Sequence, residues 1–265
     1  MPSLVFLRLS RSRALRLFLV SILLPSVSIF GVSLSSAQAT TNTKSEVAVI
    51  KPHQLKPQSI FSAMNLSTNK ADSTWVVVNK RRPLVPINYV PKDLVLPKLV
   101  AGNTNPHGMR LRQDAAEALT KMAVTMKSAK AGLLVLQSGY RSYATQVYVH
   151  DHMVSKFGLS KGESYAARPG YSEHQTGLAG DLAAVGQGCI ALTCFANTKA
   201  AIWLAANSWQ FGFILRYPRF SHPVTGYDYE PWHFRFVGVH LATKMHFSGV
   251  NTLEQEFGLP HAPSY

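Results

Sequence analysis

The sequence predicts an α+β fold, a single compact domain with a small, mostly antiparallel sheet flanked by helices. In some segments apolar residues recur three and four positions apart, as they do in helices, and in others they form short continuous runs, as in buried strands. The two kinds of segment do not alternate regularly, so the parallel sheet of a βαβ architecture is not expected. The apolar content suffices for one hydrophobic core.

The first part of the chain has the composition of a secretory signal peptide. Residues 1–39 carry four arginines and no acid, then an apolar run from Leu17 to about Val32, and they end in the small-residue pattern Ala37-Gln38-Ala39. An uncleaved membrane anchor is the alternative, but the apolar run is short and Pro25 interrupts it. We therefore expect a secreted protein, active outside the cytoplasm.

The chain is strongly basic, with a formal net charge of +14. A basic exported protein suits an anionic surface, such as a cell wall or lipid headgroups. Nucleic acid is not expected as a partner, because the chain is predicted to be exported and carries no recognised nucleic-acid-binding motif.

The two cysteines, Cys189 and Cys194, lie five positions apart. In an oxidising compartment they are expected to form a disulfide that closes a small loop. A metal site is the alternative, and it is disfavoured because no further Cys or His pair lies near them.

The folded domain is predicted to follow a polar segment. Residues 40–73 are rich in Thr, Ser, Asn, Lys and Gln, which predicts a flexible linker, and residues 74–265 are assigned to the domain. Trp75–Val78 is expected to begin the ordered region. Asn79–Leu94 contains three prolines, so it is predicted to be extended rather than helical.

The next three segments are predicted to be a helix, a strand and a helix, and each of them ends near a glycine. Apolar residues spaced three and four apart predict an amphipathic helix over Leu111–Lys130. Leu133–Leu136 is predicted to be a short buried strand. A second helix is expected from Ser142 to Lys156 and should stop at Gly158.

The C-terminal half is predicted to complete the sheet. A third helix is expected to be capped by Asn197, to continue to about Trp209 and to be ended by Gly212. The remaining predicted elements are strands at Phe213–Leu215 and Trp232–Val237 and a short helix at Val239–Phe247.

Two segments carry residues suited to a hydrolytic metal centre. In the first, His174 and Asp181 lie seven positions apart, with glycines between them, and in the second Glu230 precedes His233. A catalytic zinc needs three protein ligands and one open position, and two imidazoles with one carboxylate form such a set. Glu230 would remain free as a general base. Both spacings are common, so they do not establish the site by themselves.

Glu230 and His233 lie three positions apart in the sequence, and this spacing limits how their side chains can share a site. Residues three apart in a regular strand face opposite sides of a sheet. The two side chains can share a site only if the chain bends between them, and Pro231 makes a turn or the start of a strand plausible there.

Together these motifs resemble the VanY-type family of zinc D-alanyl-D-alanine carboxypeptidases. The family pattern S-x-H-x-x-G-x-A-x-D is intact over residues 172–181, and E-x-W-H is intact over residues 230–233. The family's S-G-Y-R-S turn matches residues 138–142, and Gln146 follows one helical turn later. The likeness runs from about residue 75 to residue 247.

The resemblance implies the roles of individual residues. His174, Asp181 and His233 are expected to bind Zn²⁺, and Glu230 is expected to act as the general acid and base. Arg141 would either stabilise the developing oxyanion or hold the terminal carboxylate of the substrate. Substrate-pocket positions are implied for Ser172, Gln146 and Trp232, the last of which could equally be core.

The resemblance also implies the reaction, which is release of the C-terminal D-alanine from peptidoglycan stem peptides by D,D- or L,D-cleavage. The same zinc chemistry would serve an endopeptidase, and a non-catalytic zinc-binding module is an alternative of a different class. A serine-type penicillin-binding enzyme is disfavoured. Ser67-Thr68-Asn69-Lys70 matches S-x-x-K, but the companion S-D-N and K-T-G motifs are absent.

Overall fold

The structure is a computed structural model that describes residues 66–100, 104–187, 189 and 192–265. The expected signal segment, residues 1–39, and most of the expected linker lie outside the described residues. Within the described part of the chain, no helix combines the length and the apolar character that crossing a membrane requires.

The centre of the fold is an antiparallel sheet. Its strands are β3 (Leu133–Ser138), β4 (Ala179–Val185), β5 (Phe213–Leu215) and β6 (His233–Phe236). They lie in the order β3-β4-β6-β5, so β4 and β6 are neighbours although they are far apart in sequence. A second, two-stranded ladder is formed by β1 (Leu94–Val95) and β2 (Leu111–Arg112).

Helices flank this sheet. They are α1 (Gln113–Ser128), α2 (Tyr143–Phe157), α3 (Leu159–Tyr165), α4 (Lys199–Asn207), α5 (His222–Thr225), α6 (Val239–Ser248) and α7 (Leu253–Glu256). Of these, α1 packs on β3, α4 on β4 and α6 on β5. The predicted α+β class, with a small antiparallel sheet between helices, is confirmed.

The main core forms between α1 and the sheet. Leu119, Met122 and Met126 project from one face of α1 and are fully buried. Leu134 and Leu136 of β3 are fully or almost fully buried against them. Full burial of one such side chain contributes about 1.5–3 kcal/mol. This packing gives the β3 end of the sheet a rigid support, from which the turn after β3 emerges.

Most of the predicted elements are confirmed with small shifts of boundary. Ser142 caps α2, because its Oγ accepts a hydrogen bond from the Thr145 N–H at 3.1 Å. The same helix ends at Gly158, whose φ of 79° is a left-handed value that favours glycine.

One prediction about the elements was wrong, and one strand was missed. The third helix is capped by Thr198 and not by Asn197, since Thr198 Oγ1 accepts from the Ala201 N–H at 3.1 Å. The strand β4 was not predicted at all. Its sequence, AGDLAAV, contains few residues with strand propensity, and it is extended because it pairs with β3 on one side and β6 on the other.

The fold begins before the predicted boundary at residue 74. Ala71 and Ser73 are buried, and Ser73 Oγ accepts the Ser67 N–H at 2.8 Å. The last part of the predicted linker is therefore a packed turn, because the hydroxyl of Ser73 supplies hydrogen bonds that make the backbone compact. The S-x-x-K match lies in this turn.

The two cysteines are paired as expected. Cys189 and Cys194 form a disulfide with a Cα–Cα distance of 5.6 Å. Cys194 lies in the 3₁₀ turn Leu192–Asn197, which leads directly into α4. The disulfide therefore tethers the segment after β4 to the start of this helix.

Candidate metal centre and active site

His174, Asp181 and His233 lie together at one face of the sheet. Asp181 in β4 and His233 in β6 are paired directly across the two strands, which places their side chains on the same face. His174 belongs to the 3₁₀ turn Glu173–Thr176 just before β4. Gly177, with a φ of 68°, reverses the chain between this turn and the strand, a conformation that other residues adopt only with strain.

The distances between the three side chains suit one metal ion. Asp181 Oδ2 lies 3.4 Å from His174 Nε2, and Asp181 Oδ1 lies 3.2 Å from His233 Nδ1. Two ligand atoms bound tetrahedrally to one zinc at about 2.0–2.1 Å are roughly 3.3–3.4 Å apart. One ligand atom from each of the three residues lies within 4.8 Å of the others. The two short distances end on different oxygens of Asp181, and two imidazoles with one carboxylate form a donor set that suits a zinc ion with one coordination position left open.

The outward-facing nitrogen of each imidazole also has a partner. His174 Nδ1 donates to the Gly139 carbonyl at 2.8 Å, and His233 Nε2 lies 3.4 Å from Glu173 Oε2. Bonds of this kind fix the orientation of a metal-binding histidine. They direct His174 Nε2 and His233 Nδ1 toward Asp181.

Charge is concentrated in this buried centre. Burial alone would raise the pKa of Asp181, but His174 and His233 outweigh it and hold that pKa well below its usual range. Burial alone would lower the pKa of His233, but hydrogen bonds to Asp181 and Glu173 raise it to about 9. The carboxylate is thus kept ionised, and a cation that binds there has to displace a proton from His233.

Glu230 lies beside the same three residues because the chain turns tightly before β6. The His233 N–H donates to the Glu230 carbonyl at 3.1 Å, and Pro231 and Trp232 form the turn between them. This places Glu230 Oε2 3.7 Å from His233 Nδ1, so the predicted bend is confirmed. Burial raises the pKa of Glu230 to about 8, a value suited to proton transfer near neutral pH.

Arg141 is held in place by two side chains. Its Nη1 donates to Gln146 Oε1 at 2.9 Å and its Nη2 to Ser138 Oγ at 3.1 Å. Gln146 is fully buried and donates in turn to the Ala167 carbonyl at 2.8 Å. Gln146 holds Arg141 and does not line the cavity described below, and its contact with the substrate stays a prediction.

A cavity of about 510 Å³ opens over these residues. Arg141 and Glu230 line it together with the three candidate ligands, and so do Ser172 and Trp232 at the predicted pocket positions. Trp232 also packs against the main core, so it serves as both pocket wall and core. The rest of the wall is largely apolar and aromatic and includes Val149, Met153, Phe157, Tyr165, Tyr217 and Tyr227.

A group of four charged residues behind the site was missed by sequence reasoning. We call Glu173, Arg216, Arg235 and Glu254 the buried quartet. Arg216 contacts Glu173 at 2.8 Å and Glu254 at 2.8 Å, and Arg235 contacts Glu173 at 2.8 Å. All four are fully buried or nearly so. Two positive and two negative charges balance one another there.

A signal for part of the quartet was present in the sequence. Arg216 follows the apolar strand Phe213–Leu215, and Arg235 lies between Phe234 and Phe236. A charged residue that interrupts a buried apolar strand has to be paired with an opposite charge. Nothing in the local pattern identifies Glu254 as one of the partners.

The part of the chain that matches a known protein family includes the residues of the site. The model of the VanY family, described as D-alanyl-D-alanine carboxypeptidase, matches residues 108–239. The chain is also 39% identical to the protein YodJ of Bacillus subtilis (strain 168). That likeness extends over 188 residues, which are 70% of this chain and 67% of YodJ.

Solved structures resemble the chain over a similar part of its length. The LdcB LD-carboxypeptidase, described in connection with peptidoglycan recognition, is 36% identical, with a TM-score of 0.63 and coverage of 71% of this chain and 87% of LdcB. A mutant of the vancomycin-resistance D,D-pentapeptidase VanY in complex with Zn(II) is 29% identical, with a TM-score of 0.57. The likeness covers 97% of the VanY chain and 69% of this chain.

Proposed function

Because this chain belongs to the VanY family of D-alanyl-D-alanine carboxypeptidases, we propose that it is a zinc-dependent enzyme that releases the C-terminal D-alanine of peptidoglycan stem peptides. The observation that carries the proposal is the spacing of 3.2–3.4 Å between Asp181 and the two histidines, with Glu230 and Arg141 in the same cavity. The Zn(II) complex of VanY supports the choice of metal.

Each residue of the site has a defined task in this proposal. His174, Asp181 and His233 would hold the zinc ion, which would supply Lewis acidity to the reacting carbonyl and to water. Glu230 takes a proton from the attacking water and later gives it to the leaving D-alanine nitrogen. The guanidinium of Arg141 donates to an anionic oxygen of the reacting peptide.

The test of this proposal is D-alanine release from muropeptides whose stems end in four or five residues. We expect the purified protein to release D-alanine, to lose the activity on treatment with a chelator, and to regain it on addition of zinc. Preference for five-residue stems indicates D,D-cleavage, and preference for four-residue stems indicates L,D-cleavage. Release that resists the chelator would contradict the proposal. A zinc-loaded protein that releases nothing would favour an endopeptidase or a binding module.

Replacing Arg141 by methionine is expected to lower kcat/KM about 10²–10³-fold, because it removes the donors to an anionic oxygen in a buried site. Separate measurement of kcat and KM assigns the role: a fall in kcat indicates oxyanion stabilisation, and a rise in KM indicates binding of the terminal carboxylate. The matched control is Arg110→Met, which removes an exposed guanidinium that donates to the Leu94 carbonyl at 3.3 Å. Equal activities of the two variants would contradict a role for Arg141.

We also propose that the protein acts outside the cytoplasm. The arginine-rich start and apolar run of residues 1–39 support export, and the Cys189–Cys194 disulfide suits an oxidising compartment. The test is fractionation of cells that produce the full chain, followed by N-terminal sequencing. Recovery only in the cytoplasm with an intact N-terminus would contradict it.

A further inference from the structure

The buried quartet lies directly behind the candidate metal centre. One of its members, Glu173, immediately precedes the candidate ligand His174 in sequence and faces the ring of a second candidate ligand, His233. Burying four charges removes each from water, a cost of several kcal/mol per ion that pairing must offset. The arrangement of the hydrogen bonds indicates that this group does more than fill the core.

The two oxygens of Glu173 have different partners. Oε1 accepts from Arg216 Nε and from Arg235 Nη1, each at 2.8 Å. Oε2 faces His233 Nε2 at 3.4 Å. Because two guanidinium groups hold Oε1, the carboxylate is oriented with its second oxygen toward the imidazole. His233 then presents its other nitrogen, Nδ1, to Asp181 at 3.2 Å.

The arginines are fixed by groups from distant parts of the chain. Arg235 Nη2 donates to the carbonyls of Thr74 and Val76 at 3.0 and 2.8 Å, in the N-terminal part of the fold. Arg216 forms a bidentate pair with Glu254 of α7, at 3.0 and 2.8 Å. The backbone N–H of Arg216 also donates to the His233 carbonyl at 3.1 Å. Both the ring and the backbone of His233 thus contact this network.

We propose that Glu173 is a positioning residue that fixes His233 with Nδ1 toward the metal, and that Arg216 and Arg235 hold Glu173 in that orientation. This inference rests on the proposed zinc dependence and deepens it. It concerns the direction of the imidazole ring and not its charge.

The test compares Glu173→Asp with Glu254→Asp. Both variants keep the charge of the quartet and shorten one of its carboxylates by a methylene group, but only the first withdraws a carboxylate from His233. We expect Glu173→Asp to weaken zinc binding about 10–100-fold, as loss of an outer hydrogen bond to a metal ligand does. Competition with a chromophoric chelator measures the zinc affinity, and visible spectra of the Co²⁺-substituted proteins report the ligand geometry.

Urea unfolding of the metal-free proteins supplies the structural comparison. We expect Glu254→Asp to lose free energy of unfolding as Glu173→Asp does, while it keeps the zinc affinity and the Co²⁺ spectrum of the wild type. Equal zinc affinities for the wild type and Glu173→Asp would overturn the inference. So would a loss of affinity that is equal in the two variants, because it would then follow stability alone.

A measurement on the unaltered protein keeps the inference testable if Glu173→Asp does not fold. In the zinc-loaded wild type, long-range ¹H–¹⁵N spectra should show the proton of His233 on Nε2. A proton on Nδ1 would overturn the inference, because the ring would then have the opposite orientation. If the wild type binds no zinc, the proposed function fails first; if it binds zinc and Glu173→Asp binds it equally well, only the positioning role fails.

Discussion

Replacing Glu230 by glutamine is expected to lower kcat about 10²–10⁴-fold and to leave zinc bound. The reason is that glutamine keeps the size of the side chain but cannot accept the proton of the attacking water or deliver one to the leaving amine. A loss of this size corresponds to about 3–5 kcal/mol in the activation free energy. Zinc content should not change, because Glu230 is not among the three proposed ligands, and its Oε2 lies 3.7 Å from His233 Nδ1.

The measurement is the initial rate of D-alanine release, with the zinc content of the same samples determined by elemental analysis. Asp228→Asn is the matched control, since it removes a carboxylate from the same segment, where Asp228 pairs with Lys161 at 3.2 Å and His222 at 3.0 Å at the surface. We expect this control to retain activity. A Glu230→Gln variant with more than about a tenth of the wild-type kcat would contradict the assigned role.

Replacing Arg216 by methionine is expected to cost about 3–5 kcal/mol in the free energy of unfolding, because it leaves buried carboxylates without their cation. Arg216 pairs with both Glu173 and Glu254, and the side chains of all three residues are fully buried. Methionine fills part of the space but donates no hydrogen bond. Arg235 remains to neutralise Glu173, whereas Glu254 loses the guanidinium that pairs with it and keeps the neutral Asn79 Nδ2 donor, at 2.9 Å.

Urea unfolding of the metal-free protein, followed by tryptophan fluorescence, measures this cost. The matched control is Lys161→Met, which breaks the pair between Lys161 and Asp228 at 3.2 Å. The two side chains are 52% and 46% exposed, so we expect a much smaller loss than that of Arg216→Met. Equal losses in the two variants would show that the quartet contributes no more than an ordinary surface pair.

Local patterns predicted most of the helices and the chemistry of the site. The helix α1 follows from apolar residues three and four apart, and the end of α2 follows from Gly158, because helical period and left-handed glycine are properties of short segments. His174, Asp181, Glu230 and His233 were identified from motifs for the same reason. The structure brings these four side chains to one cavity.

What local patterns could not predict depends on pairing between distant segments. The strand β4 has weak strand propensity and forms because it pairs with β3 and β6. The contact of Gln146 with Arg141 was not predicted either. A residue in a helix can contact side chains from several other elements, and the local sequence does not indicate which of these contacts forms.

By itself, the sequence determined the kind of chemistry, since residue types and short spacings limit which groups can bind a metal or move a proton. Only the tertiary structure decided how the site is oriented. Asp181 faces His233 because β4 and β6 pair in one register, and a shift of one residue would send one of the two side chains to the opposite face of the sheet. Glu173 reaches the same histidine because Arg216 and Arg235, more than forty residues away in sequence, hold its carboxylate.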